Sequence, residues 1–97
     1  MSEEITAFVA LLSQIGGVEE LRARETEQGF KTWAVANNAS EETRYAVYAA
    51  EWDLMRRFPE SVFDFHLVDR EGEDLDSIIT FGDGTLSIPV GETLHAY

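Results

Sequence analysis

Cysteine is absent from the 97 residues. That excludes disulfides, thiolate metal sites and cysteine nucleophiles, and it suits a cytoplasmic protein. Lysine occurs once, at Lys31; with six arginines it opposes 19 acidic residues, for a net charge of −12. A field of that sign repels phosphate, so neither nucleic acid nor an anionic membrane surface is expected as a partner. A basic protein is a permitted partner. The same lysine-poor acidity also arises as adaptation to high salt. No apolar run reaches the length of a membrane span. The acidic start Met1-Ser-Glu-Glu lacks the basic region of a signal peptide.

What is present suits a folded chain. Hydrophobic residues make up 44%, and six Phe, three Tyr and two Trp supply core volume. The length and the lack of linkers or repeats point to one domain over residues 1–97, with 91–97 as a frayed tail.

Asn38 to Asp69 organises the rest. Asn38 or Ser40 can cap a helix running to Arg57, with Glu41 and Glu42 in its first turn and Arg56 and Arg57 in its last. With Asn38 as cap, Glu41 would approach a capping box. Pro59 ends the helix and pushes Phe58 out of helical geometry. On a wheel of 100° per residue, Val47, Leu54 and Phe58 share one face, while Tyr45, Tyr48, Trp52 and Met55 share another. Two arrangements satisfy a helix with two apolar faces. In one, both faces are core and the N-terminal helix lies against the second. In the other, one face meets another chain, where aromatic residues are enriched. The next run, Val62 to Val68, alternates: Phe63, Phe65 and Leu67 point toward the helix, and Val62, Asp64, His66 and Val68 point away.

Upstream, Ile5, Phe8, Val9, Leu12 and Ile15 form a helical stripe over residues 2–15, capped by Ser2 and closed by Gly16-Gly17. Val18 to Glu25 is a weak strand whose charges suit a sheet edge, with helix as the alternative. Phe30 to Ala36 is a better strand, joined to it by a hairpin across Gly29. Downstream, the acidic stretch Asp69 to Asp76 reads as a solvated loop. It is not an EF-hand, because Gly72 and Thr80 fall where that motif needs other residues. Ser77 to Phe81 and Thr85 to Val90 flank Gly82-Asp83-Gly84, a hairpin signal, and Pro89 demotes the last run to an edge.

These elements predict an α+β fold: two helices on one face of a mixed sheet, in the order α-β-β-α-β plus a C-terminal β-hairpin. Over residues 2–69 this order resembles the ferredoxin-like split βαβ fold without its first strand. The resemblance carries no functional residues. It leaves a second sheet face to be covered by the C-terminal hairpin or by another chain. If Trp33 and Val35 lie on that face, it presents an aromatic patch.

Chemistry is sparse. Asp64 and His66 share one strand face and could bind a ligand. A metal would need a third group, such as Asp69 or His95. No serine sits in a nucleophile elbow, and the glycines at 82 and 84 precede a β-like run instead of opening a helix around a phosphate. No catalytic residue, metal site or cofactor is assigned. The expected function is therefore a regulatory or protein-interaction module acting as a homodimer, with Trp33, Val35, Tyr45, Tyr48, Trp52 and Met55 as interface residues. An acidic inhibitor or antitoxin-like protein that neutralises a basic partner is a special case. The alternative is a small-molecule or metal-binding protein, or an enzyme, with a pocket near Asp64 and His66.

Overall fold

The computed structural model describes residues 1–90. The expected tail at 91–97 and His95 lie outside the described residues. The chain forms α1 (Glu3–Leu12), β1 (Val18–Glu25), β2 (Phe30–Ala36), α2 (Glu41–Arg57), β3 (Phe63–Asp69), a single turn α3 (Leu75–Ile78) and β4 (Leu86–Pro89). The fold is α+β, with one mixed four-stranded sheet in the order β3-β2-β1-β4. β1 runs antiparallel to both β2 and β4, and β2 runs parallel to β3.

Both long helices are capped by serine side chains. Ser2 Oγ accepts from Ile5 N–H and Ser40 Oγ from Thr43 N–H. Ser40, not Asn38, is therefore the cap of α2, and Glu41 takes no part in a capping box. Asn38 instead adopts a left-handed conformation (φ 55°) in the approach to the helix. At the other end of α2, Phe58 leaves helical geometry just before Pro59, and its N–H still bonds to Leu54 C=O.

The two helices pack on the same sheet face. Ile5, Phe8 and Leu12 of α1 join Val47, Ala50 and Leu54 of α2 in one core with Leu21, Ala23, Phe30 and Ala34 of the sheet. Each fully buried Leu, Val or Phe contributes about 1.5–3 kcal/mol. Phe63, Phe65 and Leu67 of β3 pack against this core, with Phe8 meeting Phe65 edge to face at 5.4 Å. Alternation along β3 thus points its aromatic side at the helices.

Three expectations are corrected. First, β1 is not an edge strand. β4 pairs along it, with Leu21 opposite Ile88 and Ala23 opposite Leu86, so the edges are β3 and β4. Pro89 sits on that outer strand, where a missing ladder N–H costs least. Second, residues 77–90 do not form a hairpin. Gly84 makes its positive-φ turn (φ 84°), but Ser77 and Ile78 belong to α3, and β4 pairs with the distant β1. Val90 extends this pairing through its N–H to Glu19 C=O and is fully buried. Third, α1 does not cover the Tyr45 side of α2. It lies beside α2 on the shared core, and the second apolar face is left exposed.

Candidate functional site

The most prominent surface feature is the outer face of α2. Tyr45 is 67% exposed, Tyr48 49%, Trp52 61% and Met55 38%. All four stand on one helical face, opposite the side that buries Val47, Ala50 and Leu54. Large rings held in water forgo about 25 cal/mol for each Å² left unburied, so an unbroken apolar stripe of this kind marks a surface available for contact.

The stripe is rigidly presented because α2 is pinned at its start. Asp69, at the end of β3, accepts hydrogen bonds from Asn38 N–H (2.8 Å), Ala39 N–H (2.9 Å), Glu71 N–H (3.0 Å) and the Arg44 guanidinium (3.0 Å). Desolvation works to raise its pKa, but the three backbone donors and Arg44 outweigh it, and the carboxyl is held below the ordinary carboxylate value. Thr43 Oγ1 adds a bond to Gly16 C=O, tying α2 to the end of α1. Asp69 is thereby a structural clamp and no third ligand for a metal beside His66. This role is not legible in the sequence, since the Asn38 and Ala39 donors lie 31 and 30 residues away along the chain.

Glu51 lies on α2 between the buried face and the stripe, half-buried and with no ion-pair partner among the described residues; burial raises its pKa to about 7. Arg44 precedes it by seven residues on the same flank.

The sheet face away from the helices is covered by the chain itself. Phe81 meets Trp33 edge to face at 5.1 Å, and Arg22 lies 4.7 Å from the centre of the Phe81 ring. Trp33 is 6% exposed and Val35 fully buried. Their expected place in an interface is corrected accordingly: the segment after β3 folds over this face and leaves neither side chain within reach of a partner. Tyr45, Tyr48, Trp52 and Met55 remain.

Asp64 and His66 also lie on that outer side. His66 stacks on Trp33 at 5.8 Å, and its Nε2 is 3.1 Å from Asp64 Oδ1. The contact is too poorly aligned for a hydrogen bond, and buried Nε2 has no other partner among the described residues. Asp64, without His66, lines an open cavity of about 440 Å³ near the β1–β2 turn, with Arg24, Lys31 and Val62 among its walls. Arg24 and Lys31 are cross-strand neighbours and both approach the Trp33 ring. Among the described residues no group of three or more His, Asp or Glu side chains is placed to hold a metal ion, and no helix is long and apolar enough to cross a membrane.

Comparison with known proteins gives no relative: no family model matches the chain, and no curated protein and no solved structure is significantly similar to it.

Proposed function

We propose that this protein is a small, acidic interaction module that acts as a homodimer through the Tyr45–Tyr48–Trp52–Met55 face of α2 and performs no chemistry of its own. The observation that carries this reading is the exposure of that stripe on a helix anchored at its N-terminus by Asp69 and Thr43. The charge distribution supports it. α2 holds four acidic and three basic residues, a net −1, so the rest of the chain holds the other −11. Two α2 helices brought together therefore repel one another only weakly. The module is read as one cytoplasmic domain. Residues 2–69 are read as a ferredoxin-like variant without that fold's first strand, with β3 directly beside β2.

Light scattering after gel filtration tests this reading at low and high salt. The expected mass is twice the 10.9 kDa of one chain at both, and Trp52→Ala is expected to return it to the monomer without loss of helix content. A monomer at both salts refutes the dimer. Association only at high salt assigns the acidity to salt adaptation instead.

A second reading rests on the cavity beside Asp64, whose walls include Arg24 and Lys31, neither ion-paired to a carboxylate among the described residues. A small ligand there would give a thermal shift that Asp64→Ala abolishes and Trp52→Ala leaves intact. A basic protein docking on the acidic remainder would instead be retained on immobilised protein at low salt and released as salt rises.

A further inference from the structure

The reading of α2 as a dimer face leaves its geometry open, and the helix itself carries information on that point. Glu41, Tyr45, Tyr48, Trp52 and Met55 are spaced four, three, four and three residues apart. That is the spacing of a coiled-coil seam, in which alternate knobs of one helix fill holes in another. We infer that two copies of this chain pair their α2 helices antiparallel about a two-fold axis passing near Ala49 to Glu51. The inference rests on the homodimer reading above and adds the partner's orientation and register.

Charge selects the orientation. α2 begins with Glu41 and Glu42 and ends with Arg56 and Arg57. Parallel pairing stacks each acidic end on its counterpart and each basic end likewise. Antiparallel pairing sets acidic ends against basic ones, and such flanking charges fix orientation in helix pairs. Charge also selects the occupant. Asp53 pairs with both Arg56 and Arg57, which leaves that end of α2 with a net positive charge, and a second copy brings its own acidic turn, Glu41 and Glu42, to it.

The register follows from full overlap of the stripe. Tyr45 falls opposite Met55 of the second copy, and Tyr48 opposite its Trp52. On one flank Glu42 then meets Arg56 of the second copy, and Ala49 meets Ala49. Ala49 is exposed and lacks side-chain bulk, which lets the helices approach closely at the axis. On the other flank Glu51 meets Glu51; its carboxyl, already half-buried with a pKa near 7, is only partly charged at neutral pH. β3 is an edge strand next to α2, so among the described residues no further strand blocks approach from that side.

The lack of cysteine makes the test direct. Ala49→Cys, Glu42→Cys and Arg56→Cys are single replacements at exposed positions. Antiparallel pairing brings the thiol of Ala49→Cys within disulfide reach of its counterpart in the second copy. It separates two copies of position 42 by about 24 Å along the helix axis. The expected result under mild oxidation is a shift of Ala49→Cys from the monomer to the dimer band on a denaturing gel. Glu42→Cys and Arg56→Cys are expected to stay monomeric alone and to cross-link when mixed. Self-cross-linking of Glu42→Cys and of Arg56→Cys, with none for Ala49→Cys, would establish parallel pairing and overturn this inference while the dimer stands. A native dimer that cross-links in no combination places the interface elsewhere and overturns it too. A monomeric mass at all concentrations removes both this inference and the reading it rests on. Circular dichroism of each variant confirms that folding is retained.

Discussion

Replacing Asp69 by Ala is expected to be the most damaging single change at a polar side chain. The carboxylate, one-tenth exposed, receives four hydrogen bonds, three of them from backbone N–H groups of two separate loops. Hydrogen bonds to a charged group are worth roughly 1.5–3 kcal/mol each, but a donor that water can reach recovers most of its loss. Asn38 and Glu71 stand at exposed positions, whereas Ala39 is half-buried. The clamp also holds Asn38 and Glu71 at φ 55° and 47°, where a residue with a side chain costs roughly 1 kcal/mol. Together these give an expected loss of about 3 kcal/mol, a large share of the roughly 5–15 kcal/mol that stabilises a typical domain. The melting temperature should fall by about 12–24 °C. Urea unfolding followed by tryptophan fluorescence measures the loss. Arg44→Ala, which removes a half-exposed ion-pair partner, should cost only about 0.5–1 kcal/mol. The sign with pH is fixed by the lowered pKa. Stability from Asp69 is fully present above the ordinary value of 3.8 and disappears as pH falls through the lower folded value, so wild type and Asp69→Ala should converge in acid. A loss below about 1 kcal/mol at pH 7, or equal losses for Asp69→Ala and Arg44→Ala, would refute the clamp.

Glu51→Gln tests the opposite sign. With a folded pKa raised from 4.5 to about 7, Glu51 costs stability progressively as pH rises between those values. The variant should match wild type below pH 4.5 and exceed it above pH 7 by about 1 kcal/mol, after discounting for the solvent around a half-exposed group; thermal melts at the two pH values decide. Thr32 is fully buried and its hydroxyl has no partner among the described residues, so Thr32→Val should raise stability by about 1 kcal/mol in urea titration. Gly29 has φ 154°, and a Cβ there would collide with the backbone carbonyl of Val62, which accepts from Phe30 N–H. Gly29→Ala should therefore cost about 2–4 kcal/mol, read as a lowered urea midpoint.

Local signals were legible where one short stretch contains both the cause and the effect. Serine caps, flanking acids and Pro59 lie within a few residues of the helix ends they set. The alternation of Phe63, Phe65 and Leu67 likewise marks the inward face of β3 without reference to another strand. The last strand shows the limit. Ser77 to Phe81 and Thr85 to Val90 look like partners because Asp83-Gly84 can turn the chain between them. Yet β1 offers Leu86 to Pro89 an open edge and lets Ile88 and Val90 reach the core. Strand partners are chosen by burial across the whole sheet, and a local pattern does not report that competition.

The candidate site divides in the same way. That α2 has two apolar faces follows from residue spacing alone, because the helical period places Tyr45, Tyr48, Trp52 and Met55 together. Which apolar surface stays in water was decided by packing: α1 took its place beside α2, and Phe81 folded onto Trp33. The sequence by itself determined the strong acidic balance, the serine-capped starts of the two long helices and the stop of α2 at Pro59. Only the tertiary structure decided that Asp69 clamps α2, that Trp33 and Val35 are covered, and that the stripe stands free. Those outcomes depend on contacts between residues tens of positions apart, whose geometry exists only once the sheet has formed.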